Sequence, residues 1–378
     1  MNIVVAPDSF KESLSAKAVA SNIATAIAKI MPEANILQIP ISDGGEGLLE
    51  ALITPLKGKL IAVKVKDPLL RNIQAHYGIL GDGTTAVVEM ATASGLELLK
   101  ASERNPLITS SYGTGELIKD ALDKGCTKII IGLGGSATND GGIGMIKALG
   151  GKFINDKGAS IDEGGGALVA LSQIDITELD KRVLKCEIIG ACDVSNPLTG
   201  SQGASLVFGG QKGGSIAELE LLDKNLLHYA SVIKSDLGKD VKEVEGTGAA
   251  GGLGGALLAF FDAKLMRGID LIMDTLQLET HIKNADLVIT GEGKIDRQTL
   301  YGKTITGVAK VGQKHGVPVI AIAGVIGTDI DEIYKLGVTS IFSIVNGPMT
   351  LQECLVNADY LIQSCVMSIF RVIKSYES

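Results

Sequence analysis

The sequence predicts an α/β protein in which a parallel-sheet domain, built from both ends of the chain, is interrupted by a second, mixed domain. Three observations lead there. Strand and helix patterns alternate from Asn2 to Ile53, three strand-like runs then follow one another with no helix between them, and the alternation resumes from Ala285. A chain of 378 residues is long enough for two ordinary cores.

Taken in order, residues 2–6 form a short β-rich run that ends in the turn Pro7-Asp8-Ser9. Residues 16–30 carry Val19, Ile23, Ile27 and Ile30 at helical spacing, and Pro32 stops the helix. A second strand, 36–41, leads through Ser42-Asp43-Gly44-Gly45-Glu46-Gly47 into a helix at 48–53. Strands at 60–65, 73–80 and 85–90, joined by Asp67-Pro68 and Gly81-Asp82-Gly83, have the rhythm of a meander. A helix at 114–122, a strand at 128–131, a glycine-rich loop and a helix at 143–149 come next. The glycine-rich middle yields a strand at 186–192 and a helix at 216–233. The last stretch reads as strand 287–290, helix 304–314, strand 317–323, helix 329–336, strand 340–344 and one long helix from Leu351. The expected boundaries are 1–60 plus 285–378 for the parallel-sheet domain and 61–284 for the insert. Ligands are expected beyond the carboxyl ends of the parallel strands.

Composition narrows the function. With 35 basic against 43 acidic residues, a net charge of −8, no tryptophan and 4% aromatics, the chain lacks the basic stripe and stacking platforms of a nucleic-acid binder. The 48 glycines, near double the usual share of about 7%, have no fixed period and point to backbone-shaped loops. Five cysteines with no C-x-x-C pair read as thiols of a reducing compartment. The start MNIVVAPDSF lacks a leader pattern, and the longest apolar run, 249–261, is too short for a membrane span. A cytoplasmic protein with no nucleic-acid or membrane partner is expected. Whether it is a monomer or a homodimer stays open, and the apolar C-terminal helix is expected to pack on its own domain.

The richest segment is KIIIGLGGSATNDGGIG, 128–144. An apolar strand enters a loop whose backbone N–H groups, at Gly134 and Gly135 above all, can approach an anion, with Ser136, Thr138 and Asn139 adding polar side chains. Asp140 would repel a bare phosphate, so it implies either a Mg²⁺ bridge or a helix cap. Asp43 and Glu46 share one glycine turn at a strand end, placed to bind Mg²⁺, accept a substrate hydroxyl or cap a helix. Asp8, Ser9 and Lys11 end the first strand, and Lys11 suits a carboxylate or a γ-phosphate. Asp193 and Asn196 follow another strand as an Asp–Asn pair fit for a base and a metal ligand, or for a plain Asx turn before Pro197. Glu292 and Asp296, in Gly291-Glu292-Gly293-Lys294-Ile295-Asp296, are expected on a turn after a strand. Acids at so many strand ends call for a divalent cation or basic residues among them. Gly302-Lys303-Thr304 lacks the earlier glycine of a Walker loop, and Gly246–Gly251 fits G-x-G-x-x-G without a preceding strand. Four scattered histidines fit neither a zinc site nor a hydrolase triad.

The segments APDSFKESLSA (6–16), ISDGGEG (41–47), SYGTGELI (111–118), GLGGSATNDGG (132–142), ACDVSNPL (191–198), GTGAAGGLGGAL (246–257) and VITGEGKIDRQTLYGK (288–303) together resemble the bacterial type I glycerate kinases, nearly end to end. The resemblance implies a discontinuous flavodoxin-like domain with an inserted restriction-endonuclease-like mixed α/β domain. It implies ATP- and Mg²⁺-dependent phosphorylation of D-glycerate, with 2-phosphoglycerate the favoured product over 3-phosphoglycerate. Under this reading the Ser136–Asp140 loop, with Gly134 and Gly135, holds the ATP phosphates. Lys11 and Arg71 hold the glycerate carboxylate, with Asp8 and Ser9 near the substrate. Asp43 or Asp193 orients or deprotonates the attacking hydroxyl. Glu46, Asn196, Glu292 and Asp296 are candidates around the metal. Rival readings are a kinase of another hydroxy acid, a nicotinamide-dependent dehydrogenase resting on Gly246–Gly251, and a non-catalytic sugar-acid-binding protein.

Overall fold

The computed structural model describes all residues except 11, 42–46, 302, 303 and 378, and of 298, 301 and 377 the backbone alone. In chain order the strands are β1 Asn2–Val5, β2 Asn35–Gln38, β3 Lys59–Lys66, β4 Asn72–Ile79, β5 Thr85–Glu89, β6 Lys128–Gly132 and β7 Lys152–Ile154. They continue as β8 Gln173–Asp175, β9 Glu187–Ala191, β10 Lys264–Met266, β11 Leu287–Ile295, β12 Val319–Ile326 and β13 Ser340–Ser343. The result is a mixed α/β protein that divides into two units, Met1–Asp43 with Ile269–Ser378, and Gly44–Gly268.

The discontinuous unit holds a parallel sheet ordered β13-β12-β11-β1-β2. Ile3 faces Leu287 on one side and Ile36 on the other, so β1 lies between two partners. Such a strand is buried on both faces, which is why β1 reads as an apolar run rather than an alternating one. The order reverses between β1 and β11, and doubly wound sheets bind ligands outside the carboxyl ends of strands at that point. The helix Ala16–Ile30 begins at Ser15, whose side chain accepts from the Ala18 N–H. Its Val19, Ile23 and Ile27 pack against Leu361, Ile362, Val366 and Phe370 of the helix Ala358–Glu377, so the C-terminal helix does cover its own unit.

Two expectations about elements need correction here. The C-terminal helix is not one piece, because Asn357 leaves the helical path and its side chain donates to the Glu353 carbonyl, ending Leu351–Val356. The strand expected to stop at Thr290 continues to Ile295, since every residue from Val288 to Glu292 keeps a partner on β12. Glu292 therefore projects from a strand and not from a turn.

In the continuous unit β3, β4 and β5 form the antiparallel meander, and β5 then pairs parallel with β6, giving β10-β9-β6-β5-β4-β3. Helix Tyr112–Asp123 buries Leu117, Ile118 and Ala121 in the same core that holds Ile129 and Ile131 of β6. The buried Tyr77 of β4 donates its phenol to Asp120 at 2.8 Å, as a buried hydroxyl requires. The glycines of 246–257 have a packing origin. Ala250, Gly251 and Gly252 adopt φ of 52°, 66° and 93°, so the first turn of Ala249–Phe261 is not helical. A Cβ on Gly251 would stand 2.0 Å from the Thr138 carbonyl oxygen, and one on Gly165 would stand 2.4 Å from that of Asn139. These glycines let two backbones close on the 138–142 loop, which accounts for the motif without a dinucleotide.

Candidate functional site

Within the continuous unit, the loops that leave β5, β6, β9 and β10 share the carboxyl edge of the parallel strands. The loop after β6 is stapled on both sides: Leu96 N–H donates to the Gly135 carbonyl (2.8 Å), Ala137 N–H to Ser94 O (2.9 Å), and the Thr109 hydroxyl to Ala137 O (2.9 Å). Gly135, at φ 66°, is exposed and Gly134 partly so, while Ser136 to Asp140 turn inward. The open part of the loop is thus its glycine pair and the edge at Ser136.

Asp140 is fully buried. Its Oδ2 accepts from Ser111 N–H (2.8 Å), Ser111 Oγ–H (2.8 Å) and Gly144 N–H (3.2 Å), and its Oδ1 from Gly142 N–H (3.1 Å). Burial pushes its carboxyl pKa up, against the pull of these donors. Four protein donors converge on this carboxylate, so Asp140 caps the loop, the second of the two alternatives its position offered. Asn139 is also inside, its amide donating to Ser205 Oγ at 2.8 Å, while its Oδ1 and the Thr138 hydroxyl are buried with no hydrogen-bond partner among the described residues.

Sequence reasoning missed Lys212. It is 1% exposed, and its ammonium reaches across the chain to donate to Ser136 Oγ (2.9 Å) and the Thr138 carbonyl (2.7 Å). Burial pushes its pKa down to about 7, with Asp140 pulling the other way. A signal was present in Gly209-Gly210-Gln211-Lys212-Gly213-Gly214: a lysine bracketed by glycine pairs sits on backbone that can curl around its own side chain.

At the end of β9, Asp193 is exposed, and its Oδ1 accepts from Gly268 N–H at 2.9 Å, tying this loop to the end of β10. Asn196 donates its side-chain amide to Gln202 O at 2.7 Å, closing the loop that follows Pro197. Arg71 is half exposed and shares its guanidinium between Asp67 (2.6 Å) and Glu103 (2.8 Å).

In the discontinuous unit a cleft of about 680 Å³ opens beyond β1, β11 and β12. Asp8, Ser9, Glu292 and Lys294 line it together with apolar residues such as Val325 and Met349. Asp8 continues the β1–β11 pairing through its N–H to Gly291 O (2.8 Å). Its Oδ1 accepts from Ser9 N–H (2.6 Å) and its Oδ2 from the Thr304 hydroxyl (2.8 Å). Glu292 Oε1 accepts from Thr299 Oγ1 at 2.5 Å, and Asp296 pairs with Lys294 at 2.9 Å. Both Asp8 and Glu292 are buried acids given hydroxyl or amide donors, a hard-oxygen set. Among the described residues, no group of three or more His, Cys, Asp or Glu could hold a metal ion by itself. Lys11, Asp43 and Glu46 lie outside the described residues. All five cysteines are free, and no helix among the described residues is long and apolar enough to cross a membrane.

Residues 3–374 match the glycerate kinase family. The chain is 52% identical to the glycerate 2-kinase of Escherichia coli over 93% of each sequence. It is 47% identical to the glycerate kinase of Halalkalibacterium halodurans over 97% of each. A solved structure described as a putative glycerate kinase 2 from Salmonella typhimurium LT2 is 47% identical, with a TM-score of 0.92 over 100% of this chain and 99% of that one. A mixed α/β phosphotransferase is the class that this likeness and these two sets of strand-end loops define. The chain belongs to the glycerate kinase family.

Proposed function

We propose that this protein transfers the γ-phosphoryl group of ATP to the 2-hydroxyl of D-glycerate, giving 2-phosphoglycerate. The observation that carries this reading is the family match from residue 3 to residue 374, which spans every acid and hydroxyl of both strand-end constellations. Phosphoryl transfer asks little covalent chemistry of the protein. It needs the two oxygens held in line and the charge of the transferred group offset.

Each unit has residues suited to part of that task. Gly134, Gly135 and Ser136 offer N–H and O–H donors for phosphate oxygens. The exposed Asp193 would orient or deprotonate the attacking hydroxyl, a role shared as a candidate with Asp43. Lys11, and the guanidinium edge that Arg71 keeps clear of Asp67 and Glu103, would hold the glycerate carboxylate. Asp8 and Glu292 would hold Mg²⁺ by one or two oxygens, with Asp296 and Glu46 as further candidates, the remaining ligands coming from phosphates and water. Magnesium, when bound, neutralises the charge of the phosphates. A flavodoxin-like order for the discontinuous unit and a restriction-endonuclease-like insert for the other form part of the same reading, supported by strand orders β13-β12-β11-β1-β2 and β10-β9-β6-β5-β4-β3.

The test is ATP consumption with D-glycerate and Mg²⁺, with product captured by enolase in the absence of phosphoglycerate mutase. Signal through enolase establishes the 2-phosphate. ADP release without that signal moves the phosphoryl group to the 3-hydroxyl, and absence of glycerate-dependent ADP overturns the substrate.

A further inference from the structure

Lysine side chains are almost never fully buried unless an acid pairs with them, because desolvating an ammonium is costly. Lys212 is such an exception. Its nitrogen is enclosed, and among the described residues no carboxylate lies within ion-pair distance of it. Its acceptors are a serine hydroxyl and a carbonyl of one loop, 76 and 74 residues earlier in the chain. Asp140, the nearest acid in effect, acts on it through space while bonding elsewhere.

The consequence falls on Ser136. A serine hydroxyl has one hydrogen to give and two lone pairs to receive. Lys212 occupies a lone pair, so the Ser136 hydrogen cannot point back at the ammonium and is left for an acceptor on another side. While Lys212 is protonated, below about pH 7, the cation bonded to that oxygen also polarises the O–H bond and strengthens it as a donor. The second bond, to Thr138 O, fixes the loop two residues on, where Gly251 admits no side chain between the backbones. Ser136 itself is 9% exposed and directly follows the exposed Gly135.

We propose that Lys212 is a positioning residue of the phosphate-binding loop, setting Ser136 as an oriented, polarised hydroxyl donor to a phosphate oxygen of the nucleotide. This rests on the reading that the loop 134–136 takes phosphate. Lys212 touches neither substrate nor nucleotide in this scheme and works through Ser136.

A double-mutant cycle on the full-length protein separates this from simple structural support. K212M, S136A and the double variant are compared by kcat/KM for ATP at saturating D-glycerate and by equilibrium binding of ADP. The expected result is a loss of about tenfold or more in kcat/KM for each single variant, with the double variant no worse than the weaker single one. Losses that multiply would make Lys212 a structural support independent of Ser136 and overturn the proposal, as would a K212M enzyme within about twofold of wild type. If S136A changes neither ADP binding nor kcat/KM, the phosphate reading of the loop fails, and the role of Lys212 fails with it. Should K212M not fold, K212Q, which keeps an N–H donor without the charge, carries the same cycle with the same outcomes.

Discussion

The Thr304 hydroxyl donates to Asp8 Oδ2 across 2.8 Å, joining the end of β1 to the start of helix Thr304–His315, residues 296 positions apart in the chain. Both residues are buried, so this bond holds an acid in place at the mouth of the cleft. Thr304→Val keeps the shape and removes the donor. It is expected to cost about 1–3 kcal/mol in urea denaturation, because a buried carboxylate oxygen loses a partner. Thr304→Ser should restore most of that loss. Equal stability in Val and Ser variants would show that the bond contributes nothing.

Asp140 serves the fold. Asp140→Asn puts an amide N–H₂ against some of the four donors that now converge on the carboxylate. A loss of roughly 2–4 kcal/mol is expected, at the upper end for a buried charged acceptor. Ser111→Ala, which removes one of those donors and the acceptor for Met145 N–H, should give a smaller loss of about 1–2 kcal/mol. A D140N protein as stable as wild type would return Asp140 to the ligand side.

Asp193→Asn isolates charge from geometry. The Asn side-chain oxygen can still accept from Gly268 N–H, so the loop after β9 should stay where it is. Turnover is expected to fall by about 100-fold or more with little change in the melting temperature or in the KM for ATP. Turnover within a few-fold of wild type would remove Asp193 from the reaction and leave Asp43 as the candidate.

Lys212 should leave a mark on the pH dependence of stability. Its pKa in the fold is pushed down to about 7 by burial, whereas an unfolded lysine titrates near about 10.4. Between those values the unfolded chain binds one more proton, so stability rises with pH across that window. The cost of the buried charge is fully present below about pH 7 and is relieved towards about pH 10. Urea denaturation at about pH 6.5, 8 and 9.5 should show wild type gaining on K212M at each step. A constant difference between the two would mean that Lys212 stays charged throughout.

The elements with strong period were legible from residues alone. The helix Ala16–Ile30 has the bounds its apolar spacing predicts, and the meander of β3 to β5 follows from three β-rich runs with polar turns. What failed was the reading of glycine. In Gly291-Glu292-Gly293 glycine suggests a turn, yet the strand continues, because pairing with β12 supplies a ladder that local propensity cannot reveal. The site shows the same asymmetry. Acids at strand ends could be found by eye, but whether an acid faces a ligand or the protein depends on donors far away in the chain. Ser111, 29 residues from Asp140, decides that case, and nothing in the local motif announces it. Lys212 escaped for the opposite reason: its partners Ser136 and Thr138 lie in the conspicuous loop, while the lysine itself is 74 and 76 residues further along the chain.

The place of β1 between two partners has a consequence for synthesis on the ribosome. Its partner β11 begins at Leu287, so at about 5–20 residues per second roughly 15–60 s separate the emergence of the two strands. Throughout that interval one edge of a largely apolar strand has no partner, whereas the sheet of the continuous unit is complete at β10, before β11 emerges. Co-translational folding should therefore proceed middle first, with nascent β1 the stretch that most needs a chaperone.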